Sequence, residues 1–204
     1  RAISIRKTIH VDKRDARHFA VHGTPTDCSL VGIDQILADH KPDIVPSGIN
    51  AGGNLGEDIG YSGTCGAAFE AQMLGQPAIA LSQVRVNKQT TASTFDTAKT
   101  HLPELLPTLI QHAIATKGLL NVNFPNCHPD QVKGVRVAHQ GQRIDSATLE
   151  PSQSKDERHL GFYFSFLRNE THDGPGSDLD AVQSNYIAVT PLRIDFTDYR
   201  ALTK

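Results

Sequence analysis

Residues 47–64 concentrate the groups that can grip a small oxyanion. Ser47-Gly48-Ile49-Asn50-Ala51-Gly52-Gly53-Asn54-Leu55-Gly56 is followed, a few residues on, by Ser62-Gly63-Thr64. The first backbone N–H groups of a helix have no partner within it, and the macrodipole places partial positive charge there. Ser62 reads as the cap of such a helix. Gly63 has no side chain to block approach to the backbone, and Ser62 and Thr64 add hydroxyl donors. A phosphate group fits these requirements. Asn50 and Asn54 extend them, because an amide oxygen is a hard neutral ligand for a divalent cation and an amide nitrogen can donate to a phosphoryl oxygen. Neither supplies the negative charge that a cation site normally needs. Glu57 and Asp58 are the carboxylates nearest in sequence, but they fall on the outer half of the loop. Gly, Asn and Ser also build ordinary turns and caps. Five glycines and two asparagines between residues 48 and 60, leading into Ser-Gly-Thr, exceed what turn chemistry requires.

Such a cradle needs a strand before it and a helix after it. Asp43-Ile44-Val45-Pro46-Ser47 is short and β-prone, although Pro46 lacks a backbone donor. Gly63 to Leu74 reads as a helix, capped by Ser62 and stopped by Gly75 with Pro77 beyond. Ala78 to Val84 is another apolar strand, so 43–84 forms one βαβ unit with parallel strands. In an open parallel sheet, ligands collect at the carboxyl ends of the strands, where this loop would lie.

Upstream, short β-prone stretches at Ala2–Ile9 and His18–His22 precede Gly23-Thr24-Pro25-Thr26, with a helix expected over about Asp27–Ala38 and a cap at Thr26. Downstream, apolar residues from Ala98 to Ile114 recur at helical spacing, but Pro103 and Pro107 are expected to break or kink that segment. Leu119–Phe124 and Val132–Ala138 read as further strands. Residues 139–204 are more polar. They carry strand candidates at Leu160–Phe166 and Tyr186–Leu192 and a helical turn at Asp178–Val182. The expectation is an α/β core over 1–138 and an extension over 139–204, wrapped on that core or on a neighbouring subunit.

The bulk properties narrow the function. The 204 residues hold 20 Lys+Arg against 22 Asp+Glu, so no broad positive field favours duplex nucleic acid. Cys28, Cys65 and Cys127 are odd in number and not in CxxC spacing, which reads as buried thiols in a reducing, cytoplasmic compartment. No apolar run approaches the ~18 residues of a membrane span. His18 and His22 have the spacing of helical zinc ligands but lie in a strand pattern, where they would stand ~13 Å apart. Ser62 is not in GxSxG form, which leaves a serine esterase as a weak alternative. Gly52 to Gly56 lacks GxGxxG spacing. Asp178 and Asp180 read as surface or cap carboxylates, with Asp178 a candidate for an oligomer contact.

Several blocks, in order, resemble the SurE family of metal-dependent nucleotide phosphatases: Pro42 to Gly56, Tyr61-Ser62-Gly63-Thr64, Gly75 to Ser82, Gly23-Thr24-Pro25-Thr26-Asp27-Cys28, Leu120-Asn121-Val122-Asn123-Phe124-Pro125, and Asp173 to Asp178. The resemblance implies a Rossmann-like α/β fold, with a mostly parallel sheet, helices on both faces and a β-rich C-terminal extension used in a homodimer or homotetramer. It implies hydrolysis of nucleoside 5′- and 3′-monophosphates with Mg²⁺ or Mn²⁺. By position, Asn50 matches the metal-ligating asparagine, Asn54 the phosphate-site asparagine, and Ser62, Gly63 and Thr64 the phosphate-binding helix start. Family members begin with a strand ending in Asn-Asp-Asp-Gly that supplies acidic metal ligands, and no Asp-Asp pair occurs here. The expectation is therefore a chain incomplete relative to the functional polypeptide, beginning near the third strand. A non-catalytic nucleotide-binding or assembly subunit is the alternative.

Overall fold

The computed structural model describes residues 2–85, 95–143, 148–152, 161–165 and 174–203. The candidate turn at Asp173 and most of the polar stretch 141–158 lie outside the described residues or at their edges. An antiparallel hairpin opens the chain, β1 (His10–Lys13) against β2 (Phe19–His22), with His10 opposite His22. It is shifted C-terminally from the expected Ala2–Ile9. His22 pairs with Asp12 at 2.8 Å and His18 with Asp15 at 2.6 Å, both exposed, so each histidine is held by a neighbouring carboxylate.

Helix α1 (Pro25–Val31) starts two residues before the expected position. Its cap is Thr24, whose hydroxyl accepts from the Asp27 amide, while the Asp27 carboxylate accepts from the Thr24 amide at 2.7 Å. With this reciprocal box and Pro25 in the first turn, where a missing N–H costs nothing, the signal was Thr-Pro-x-Asp rather than Thr26. A wider turn, Gly32–Ile36, continues α1.

The chain then forms β3 (Val45–Ala51), α2 (Asp58–Tyr61), α3 (Gly63–Met73) and β4 (Ala78–Gln83). After these come α4 (Asp96–Thr116), β5 (Leu119–Phe124) and a short β6 (Val135–Val137). A second hairpin pairs β7 (Thr148–Ser152) with β8 (Gly161–Ser165), and the chain closes on α5 (Asp178–Gln183) and β9 (Ile187–Leu192).

The central sheet has the order β3-β4-β5-β9-β6. Neighbours β3/β4, β4/β5 and β6/β9 run parallel, and β5/β9 antiparallel. Every residue of β4 and β5 is buried, as expected of strands covered on both faces. Alternation sorts them. Ile79, Leu81, Leu120, Val122 and Phe124 pack with Ala98, Leu109 and Ala113 of α4, whereas Ala78, Ala80 and Leu119 pack with Cys65, Ala68, Phe69 and Ala71 of α3. The fold is thus a mostly parallel α/β sheet with helices on both faces.

Pro103 and Pro107 lie inside one continuous α4, so of the expected break or kink the break does not occur. Both are exposed, so their rings stay clear of the sheet, and the apolar stripe on the opposite side anchors the helix to it. Strand β9 lies between β5 and β6, which makes residues 187–192 part of the central sheet.

Candidate phosphate-binding site

The site is assembled at the carboxyl ends of β3 and β4. Asn50 stands near the end of β3, where its Cα is in register with Ser82 of β4. Its Nδ2 donates to the Gly52 carbonyl at 2.9 Å, which folds the loop back on itself. Gly48 has φ +125°, and a Cβ there would collide with the Leu81 backbone carbonyl, so only glycine lets β3 lie this close to β4.

Asn54 is 5% exposed and is held on three sides. Its Nδ2 donates to Ser82 Oγ at 2.6 Å. Its backbone N–H donates to Asn123 Oδ1 at 2.8 Å, and its carbonyl accepts from Asn121 Nδ2 at 2.8 Å and Asn123 Nδ2 at 3.2 Å. Ser82 therefore brings the two predicted asparagines together, one through strand register and one through a side-chain bond.

Ser62 caps α3, its Oγ accepting from the Cys65 amide at 3.0 Å. That satisfies one first-turn donor from within the protein. The N–H groups of Gly63 and Thr64 have no protein partner among the described residues, and both residues are only half-buried. Among the described residues, the α3 N-terminus thus leaves two backbone donors unengaged beside the Thr64 hydroxyl. Gly63 has a second reason to be glycine, because a Cβ there would come within 2.9 Å of Pro25 Cγ on α1. Ser62 Oγ is the helix's own cap and not the partner of a base, so the esterase reading loses its nucleophile. Burial raises the Cys65 thiol to about 11, which removes that sulfur as a nucleophile as well.

The outer half of the loop is clasped from the C-terminal part of the chain. Arg143 donates to the Leu55 carbonyl and to Asp58 Oδ2, each at 2.9 Å, and its backbone N–H donates to Glu57 Oε1 at 2.9 Å. Gln140 Nε2 donates to the Gly56 carbonyl at 3.1 Å. Asp178, read from sequence as a surface or cap carboxylate, is fully buried. It accepts the backbone N–H of Gly56 at 3.0 Å and of Gly141 at 2.9 Å. Burial raises its pKa, and the two glycine amides oppose that rise.

The metal assignment was tested against the donors present. Divalent hard cations take six or more oxygen ligands, commonly including carboxylates. Asn50 offers one neutral oxygen, Glu57 and Asp58 are engaged by Arg143, and among the described residues no group of three His, Cys, Asp or Glu could hold a metal ion. The described residues do not by themselves complete the ligand set of a divalent cation.

The sequence reading missed Asn121 and Asn123. Their signal was present: two amides at alternate positions of a strand otherwise made of Leu, Val and Phe must share one face, and a buried amide needs a partner.

This geometry agrees with comparisons to known proteins. A family model described as SurE, survival protein SurE, matches residues 1–147. The 5′-nucleotidase SurE of Rhodopseudomonas palustris strain HaA2 is 43% identical over 97% of this chain and 78% of its own length. That of Azorhizobium caulinodans is 40% identical over 100% of this chain and 80% of its own length. The crystal structure of the SurE protein from Aquifex aeolicus superposes with a TM-score of 0.81 at 33% identity, covering 99% of this chain and 80% of that one. With the sheet order and these matches together, the chain belongs to the SurE family.

Proposed function

We propose that this protein is a nucleotidase that hydrolyses the phosphate monoester of nucleoside 5′- and 3′-monophosphates. The observation that carries the reading is the pair of N–H groups at Gly63 and Thr64 that have no partner among the described residues, at the start of a helix that follows a glycine-rich loop. Relatives at 40–43% identity that carry the name 5′-nucleotidase support it. On this reading the Gly63 and Thr64 amides and the Thr64 hydroxyl hold phosphoryl oxygens and stabilise the charge that grows on them in the transition state. Ser62 fixes the helix start, and Asn54, whose Nδ2 already gives one hydrogen to Ser82 Oγ, keeps its second amide hydrogen for a phosphoryl oxygen. A divalent cation, Mg²⁺ or Mn²⁺, is the proposed cofactor; Asn50 would contribute one neutral oxygen to it, and the cation would supply positive charge at the phosphoryl group.

The rest of the reading concerns setting. We propose a homodimer or homotetramer formed through residues 139–204, which light scattering at micromolar concentration would refute by finding only monomer. None of the described helices is long and apolar enough to cross a membrane. Three free cysteines suit a reducing compartment such as the cytoplasm. Phosphate release from nucleoside monophosphates, with Mg²⁺ or Mn²⁺ and with chelator, tests the activity. Release should require the cation, and Thr64→Val should lower kcat/KM by about 10- to 100-fold through loss of a charge-stabilising donor. No release from any nucleoside monophosphate with either cation would overturn the proposal.

A further inference from the structure

We propose that Asn121 and Asn123 of β5 are positioning residues that set the phosphate loop by gripping the backbone of Asn54. This rests on the nucleotidase reading above. Both side chains are fully buried in the middle of the sheet, a place where an amide costs about 1–3 kcal/mol unless it is bonded. Leucine or valine would pack there without that cost. What the asparagines provide is specific: Asn123 Oδ1 takes the Asn54 N–H at 2.8 Å, and both Nδ2 groups give to the Asn54 carbonyl. Asn54 itself is nearly enclosed, so its peptide groups have no access to bulk water as a substitute.

The grip also joins the two halves of the site. Cys65 Sγ lies 3.7 Å from Asn121 Oδ1, and the Cys65 amide is the group that Ser62 Oγ caps at 3.0 Å. On the other side, Asn54 Nδ2 reaches Ser82 Oγ, the register partner of Asn50. A path therefore runs from the α3 cap through Asn121 and Asn54 to Ser82, and from there by strand register to the end of β3. Asn121 and Asn123 touch no substrate. They decide where the donors that do touch it stand, and a small displacement of such donors is felt more in the transition state than in the ground state.

The test compares wild type with Asn123→Ala and with the milder Asn123→Ser, which keeps a hydroxyl in the space, in case the alanine variant does not fold. Folding is followed by cooperative thermal melting, and function by kcat, KM for a nucleoside monophosphate and the inhibition constant of vanadate, a mimic of the phosphoryl transition state. A variant that merely unfolds in part loses kcat while its remaining molecules keep their vanadate affinity. The expected result is a folded variant whose vanadate inhibition constant rises at least 10-fold while KM changes less than threefold. A folded variant whose vanadate constant stays within twofold of wild type would overturn the proposal alone. Wild type that neither hydrolyses a nucleoside monophosphate nor binds vanadate would overturn the nucleotidase reading, and this proposal with it.

Discussion

Asp27 and Asp178 are both fully buried aspartates, and their surroundings drive them in opposite directions. Around Asp27, burial pushes the pKa up, but the Ser4 amide and hydroxyl and the Thr24 amide all donate to the carboxylate and hold it down at about 2. A carboxyl depressed on folding contributes stability that is present above its unfolded pKa, near 3.9, and is lost as pH falls through its folded value. Thermal melting followed from pH 5 to pH 2 should therefore show a decline to which Asp27 contributes. Asp27→Asn should reduce that slope and cost about 1–3 kcal/mol at neutral pH, because its amide would turn a donor toward other donors. An unchanged pH profile in the variant would refute the assignment. Asp178 has the reverse sign: burial raises its pKa, so its ionisation draws on folding stability as pH climbs above the unfolded value. At this scale the sequence was informative where a residue type has one use, as with Ser62 capping α3. It was silent where the use depends on a partner far along the chain, as with Asn54 and Asn123, 69 residues apart.

Helices show how packing overrides local preference. An interior proline costs about 3 kcal/mol, yet α4 carries two and remains one helix of 21 residues. Their exposed positions keep the rings clear of the sheet, while Leu102, Leu105, Leu106, Leu109 and Ile110 seat the other side against it. Pro107→Ala should restore an amide donor toward the carbonyl of residue 103. It should raise stability by about 1–2 kcal/mol after allowance for the added freedom of the unfolded chain, measured by urea denaturation. Destabilisation would mean that the proline ring fixes a bend which the sheet requires. Sequence reasoning erred here because proline's local effect is legible and the anchoring surface is not. For α3 both agree: Ser62 at the start and Gly75 past the end mark a helix whose residues 65–71 are all buried.

Across the molecule, the C-terminal third does more than the sequence pattern implied. Strand β9 completes the central sheet, and the described stretch 140–143 holds the loop at residues 55–58. Composition marked residues after 139 as different in character, but neighbours in a sheet are set by long-range pairing that no local window contains. Asp178 ties three distant stretches together through Gly56, Gly141 and its own helix α5. Asp178→Ala would strand two buried amides and should cost about 2–4 kcal/mol in chemical denaturation. It should also lower nucleotidase activity, because the loop loses an anchor. A loss of stability with full activity would confine Asp178 to the scaffold.

The sulfur of Cys65, enclosed between the cap of α3 and the amide of Asn121, also makes the site report on its own opening. A thiol raised to about 11 and shut away from solvent reacts with a disulfide reagent only when the helix start swings out. Cys28, at the surface, reacts without any such event. The slow phase of modification should then time the opening of the α3 start, and on the proposed nucleotidase reading added phosphate should slow it, since an anion bound there favours the closed form.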